Sequence, residues 1–406
     1  MWWLTRRVRG ADPEQGAIAA LVAIMLTAGV LVGMGALVVD AGQIYAARAQ
    51  MQNGADAAAL KIAQACAEGP VGVACLTNPN DPATTAYGVA NSYATKNAGG
   101  GASHVTAVCG SGSAVLTTNC PGDRAELYCP NQPATGNYVE VHTKTGADST
   151  KTLLPPAFGR ALLGGSYSGK VVGACAQASW GPVGAATAPS ITFSLCTWKA
   201  ATTNGTTFAP PPNFIAYPVL GYPTWPPVGV AGYTGTPPAA GAPGGEQVLE
   251  THGSGNDCAG SPGSGWQLPG GFGWLDDAGG NCKNYTDITV TYHDNTGNDW
   301  NPSCQPTWDN SIAQHAVVYL PIFDGISGTG NNGIYHMAGF AAFVVTGGYF
   351  KGQGPPWSVK SSITNKNYCS GSLRCIYGFF TQGLIPAGAV PSSGTNFGAR
   401  GATITG

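Results

Sequence analysis

Charge is what this 406-residue sequence has least of. Asp, Glu, Lys and Arg together make up 9% of it, against about 25% in an ordinary soluble domain. The 18 bases nearly balance the 20 acids, giving a net charge of -2. No basic cluster of the kind that holds nucleic-acid phosphates is present, so no nucleic-acid partner is expected. Signatures of catalysis are also missing. Gly253-Ser254-Gly255 and Gly263-Ser264-Gly265 have neither a strand before them nor a helix after them, as a nucleophile elbow requires. His252, His293, His315 and His336 belong to no paired motif, and no enzyme activity is expected. Zinc would need closely spaced pairs such as Cys-x2-Cys, and there are none.

One stretch lacks charge altogether. Gly16–Val39 holds 24 residues without an acid or a base, and a helix needs about 20 apolar residues to cross a ~30 Å hydrocarbon layer. Arg6, Arg7 and Arg9 precede it, and Asp40 follows it. The positive-inside rule then places residues 1–16 in the cytoplasm as a tail, 17–39 in the membrane, and residues 40–406 outside. A cleaved signal peptide would have a shorter apolar region, of about 7–15 residues. Gly29 and Gly33 form a GxxxG, a spacing that lets two membrane helices pack closely, so self-association through the span is expected.

Beyond Asp40 the chain keeps strong helix formers and has no proline until Pro70. Ile44, Met51, Ala55, Ala58 and Ile62 recur near helical spacing. The span is therefore expected to continue as a stalk helix that holds a head away from the bilayer. The residues around this junction are Glu14-Gln15-Gly16-Ala17, then Val39-Asp40 with Gly42, Tyr45, Arg48 and Gln52, then Ala55-Asp56-Ala57-Ala58-Ala59-Leu60. They resemble the N-terminal module of the TadG-like proteins of Flp (Tad) pilus assembly. The likeness is dense over about residues 5–66 and thinner to 181, in Tyr138–Thr143, Pro156–Gly164 and Val171–Gly181. It implies a bacterial single-pass protein of the cell envelope that works with other pilus or secretion-apparatus proteins. Some relatives carry a metal site opening with Asp-x-Ser-x-Ser; that run is absent here, so the metal is not carried over.

All 12 cysteines lie at or beyond Cys66, outside the apolar segment, as expected for disulfides in an oxidising compartment. Short loops point to Cys66–Cys75 and Cys369–Cys375. Cys282–Cys304 would staple two strands and leave Cys196 with Cys258. Cys109, Cys120, Cys129 and Cys175 stay unassigned.

The expected fold is α+β and membrane-anchored. Residues 40–185 form the stalk helix and a disulfide-braced α+β domain with a second helix over 82–98. Residues 186–406 form a β-rich sandwich- or barrel-like domain, with Ala185–Pro189 as linker and Ser190–Trp198 as its first strand. Residues 201–245 carry 10 prolines and no charge and read as a long loop. Asp294, Asn295, Asn298 and Asp299 crowd oxygens around Gly297 and are a candidate calcium ligand set; no other cofactor is expected. Two functions compete. One is a structural part of a surface pilus or secretion apparatus, acting through protein–protein contacts. The other is a surface adhesin or carbohydrate-binding protein, using Trp266, Trp274, Trp300, Trp308 and Trp357 of the acidic second domain.

Overall fold

The computed structural model describes residues 13–27, 29–68, 85–98, 103–112, 116, 119–146, 153–154, 170–209, 241–252, 273–275, 282–293, 300, 302–328, 333–351, 355–385 and 389–406. The apolar run is divided between two helices, α1 (Pro13–Thr27) and α2 (Val30–Glu68). Gly29 separates them with φ +72°, and its N–H donates to the Leu26 carbonyl at 3.1 Å. A left-handed glycine with such a bond is a common helix terminator. Gly33 then opens α2 by donating to the Gly29 carbonyl at 2.8 Å. Gly29 is outside the helix that holds Gly33, so within this chain the two glycines do not lie on one helical stripe. Among the described residues no single helix is long and apolar enough to cross a membrane.

The far half of α2 is the spine of the head. Ala55, Ala58, Ala59, Ile62 and Ala63 are fully buried along one side of it, where short side chains let the helix lie close to its neighbours. One neighbour is α3 (Ala86–Asn97), whose N-cap Thr85 accepts from the Gly88 N–H at 3.0 Å. The crossing is tight enough that a Cβ on Gly54 would sit 3.1 Å from Ala94 Cα. The other neighbour is the first sheet. Its path is β1 (Ser103–Ser111), β2 (Asn137–Thr145), β5 (Gly173–Pro189), β16 (Ala399–Ile404) and β14 (Gly383–Ile385), with β8 (Lys283–Asp287) and β15 (Val390–Pro391) also on β5. Leu153–Leu154 (β3) and Lys170–Val171 (β4) make a separate ribbon.

The second sheet runs β6 (Phe193–Ser194), β10 (Val317–Ser327), β11 (Ile334–Phe350), β13 (Arg374–Thr381) and β7 (Gln247–His252), with β9 (Thr291–His293) and β12 (Trp357–Val359) on β11. Strand alternation sorts its faces. Ala341, Phe343 and Val345 join the largest core with Trp198, Trp300, Trp308 and Trp357, while Phe340 and Ala342 meet Val183, Ala186 and Ala188 of β5. Helices α5 (Leu195–Thr202) and α6 (Gln305–Ala313) supply Trp198, Trp308 and Ile312 to the former side.

Three expectations are corrected by this layout. The boundary at 185/186 falls inside the unbroken 17-residue β5, and β16 returns from the far end of the chain to pair with it over Arg400–Ile404. Ser190–Trp198 is not one strand: Ser194 Oγ accepts from the Thr197 N–H at 3.1 Å and caps α5. Of the loop 201–245, residues 210–240 lie outside the described part, and Ala201 and Thr202 belong to α5. The α+β class with a helical N-terminus and a β-rich C-terminal region is as the sequence indicates.

Candidate functional site

Two features have functional character: an exposed apolar rod and a buried ionic cluster on the first sheet. In the rod, every residue from Gly16 to Thr27 is exposed, and Met34, Leu37 and Val38 remain at least 63% exposed within α2. Large apolar side chains are thus bare on all sides of α1, an unusual extent of exposed apolar surface.

The cluster follows from strand pairing. On β2, Val139 and Val141 face α2, and Thr143 Oγ1 donates to the Met51 carbonyl at 3.1 Å. Glu140 and His142 alternate with them and so occupy the opposite face. Register places Cys109 and Gln177 on either side of Glu140, and Cys175 beside His142. The short helix α4 (Arg124–Leu127) and its flanks cover this face and bring in Asp123, Arg124 and Cys129. Disulfides Cys109–Cys120 and Cys129–Cys175 fasten the cover to β1 and β5.

Glu140 and His142 have no exposed side-chain surface. Glu140 Oε1 accepts from Arg124 Nε and lies against His142 Nε2, both at 2.8 Å. Glu140 Oε2 accepts from Arg124 Nη2 at 3.0 Å and Gln177 Nε2 at 3.2 Å. Asp123 Oδ1 lies 3.0 Å from His142 Nδ1, and Asp123 Oδ2 lies 2.8 Å from Lys144 Nζ. Both imidazole nitrogens therefore face carboxylate oxygens, which only accept, so both bonds form when the ring carries two protons. Burial is the largest influence on Glu140 and pushes its carboxyl up. Hydrogen bonds from His142 and Arg124, with their charges, outweigh it and hold the group below its ordinary value. Asp123 is likewise lowered: burial raises it, and Lys144 and His142 together more than reverse that. Arg124 is raised, chiefly by its bond to Glu140.

Cys129, Glu140, His142 and Cys175 place their donor atoms within 4.8 Å of one another. The two sulfurs are joined as a disulfide, which removes the thiolates a zinc ion would bind. A second buried carboxylate, Glu246, stands before β7. It accepts from the hydroxyls of Thr346, Ser361, Thr364 and Tyr368, and so ties the turn after β12 to the second sheet.

The residues singled out in the sequence fall elsewhere. Asp294, Asn295, Asn298 and Asp299 lie outside the described residues, as do Cys75, Cys258 and Trp266. Bridges join Cys282 to Cys304 and Cys369 to Cys375. Cys66 and Cys196 are also disulfide-bonded. Trp300, Trp308 and Trp357 are core residues, and Trp300, Phe350 and Trp357 pack as a mutual cluster with ring centroids 4.9–5.5 Å apart. They offer no surface for stacking on a sugar. The cluster itself was legible only as a polar rhythm, Glu140, His142, Lys144, against Val139 and Val141. Such a rhythm ordinarily marks a solvent-facing strand.

The molecule is thus a head of two sheets on a helical spine whose N-terminal extension is apolar and bare. Residues 16–61, which span that extension and the start of the spine, match the Tad family model, described as "Putative Flp pilus-assembly TadE/G-like". The N-terminal module is of the TadE/G-like type. No curated protein and no solved structure matches the chain.

Proposed function

We propose that this protein is a single-pass membrane component of a Flp/Tad-type surface pilus or secretion apparatus, with its head outside the cytoplasm and its function exerted through protein–protein contacts rather than catalysis. The observation that carries the reading is the coincidence of the TadE/G-like match with the exposed apolar rod. Gly16–Thr27 and Val30–Val39 are about 18 Å and about 15 Å long at 1.5 Å per residue. Together they suffice for a ~30 Å layer even with a bend at Gly29. Disulfides in the head and none in the rod suit an oxidising exterior. Association of copies through the rod is part of the proposal, now without a glycine stripe to guide it. The adhesin alternative gains nothing from the buried tryptophans. Clean deletion of the gene should reduce the number or length of surface pili, counted by electron microscopy; unchanged pili would contradict the assignment.

A further inference from the structure

The ionic cluster has a property that bracing alone does not require. Two of the four described bridges are sealed: Cys282, Cys304, Cys369 and Cys375 are each at most 5% exposed. Cys129 is half-buried while its partner Cys175 is 3% exposed. One reachable sulfur and one sheltered sulfur is what in-line attack by an outside thiolate needs. His142 Nε2 lies 3.6 Å from Cys129 Sγ, a nitrogen of the same ring lies within 4.8 Å of Cys175 Sγ, and Asp123 fixes the ring from Nδ1. Arg124 and Lys144 pair with Glu140 and Asp123 around the histidine beside this bridge. A partly exposed sulfur beside basic side chains is where reactive cysteines are found. The neighbouring Cys109–Cys120 bridge also has one half-buried member. It has the Glu140 carboxylate nearby and no imidazole grouped with it.

We infer that Cys129–Cys175 is a thiol–disulfide exchange site that accepts two electrons from a dithiol, either a protein partner or a small molecule. The dithiol's thiolate attacks Cys129 Sγ. A new S–S bond forms there, the Cys129–Cys175 bond breaks, and its electron pair goes to Cys175 Sγ, which takes the proton from His142 Nε2. The dithiol's second thiol passes its proton to the imidazole and attacks its own first sulfur. Cys129 departs with that electron pair and is protonated from solvent. The dithiol ends as a disulfide, and Cys129 and Cys175 end as thiols. Asp123 acts as a positioning residue for His142.

The test treats the full-length protein with limiting dithiothreitol under native conditions, quenches with acid, alkylates, and maps the labelled peptides over time. Cys129 and Cys175 should be labelled at least about tenfold faster than Cys282, Cys304, Cys369 and Cys375. His142→Gln should slow that opening about tenfold while the sealed bridges keep their rates. Should His142→Gln loosen the fold, shown by all bridges opening together, Asp123→Asn serves instead. It changes a rim side chain that is 20% exposed, and it should slow Cys129–Cys175 alone. Opening of Cys129–Cys175 no faster than the sealed bridges, or an unchanged rate in the variant that folds, overturns the inference.

Discussion

Glu140 shows what a single buried charge demands of its surroundings. Four nitrogens meet its two oxygens, two from Arg124 and one each from His142 and Gln177. Removing one member of a buried ion pair leaves the other uncompensated and costs about 3–5 kcal/mol. Glu140→Ala should therefore lower the unfolding free energy by that amount, read as a lower denaturant midpoint with the slope unchanged. Acid should have a related effect. Glu140 and Asp123 are both held below the ordinary carboxylate value in the folded head, so the unfolded chain binds protons first. Their contribution is complete above the ordinary carboxylate range and is lost as pH falls through the lowered values. Thermal midpoints should be level from pH 7 to about 5 and fall below about pH 4, and Glu140→Gln should flatten that fall. Beyond the polar rhythm of β2, the sequence did not show this. Asp123, Glu140 and Gln177 are far apart along the chain, and only the β2–β5 register and the disulfide-held cover bring them together.

At the scale of elements, the long periodic segments were legible and the short ones were not. The alanine-rich repeat of α2 and the helix expected over 82–98, which is α3, express their own period strongly enough to be placed. Helix α5 has eight residues and α6 has nine. Their apolar residues are too few to separate a helical period from a strand's, and tertiary packing of Trp198 and Trp308 decides the outcome. The break at Gly29 was hidden for a different reason. Glycine is common in apolar spans, and the same residue suits a helix–helix contact or a left-handed terminator. The α2–α3 crossing is an element contact open to test by a single change. A side chain on Gly54 would push against Ala94 backbone atoms 3.1–3.4 Å from its Cβ. Gly54→Leu should cost about 1–3 kcal/mol, read as a lowered melting temperature of the head.

For the whole molecule, the pairing of β16 with β5 joins sequence ends to one sheet, and the Val183–Phe340 cluster joins that sheet to the second. The segment expected as the linker between two domains is the end of β5. Ala185–Pro189 has a linker's composition yet pairs with β8. What projects from this head is the apolar rod, and its surroundings decide the protein's role. Protease treatment of spheroplasts, followed by immunoblotting for the head and for an N-terminal tag, measures this directly. The account predicts that the head is digested from outside while a short tagged fragment stays with the membrane. A head that survives in intact spheroplasts and is digested only after lysis would contradict it.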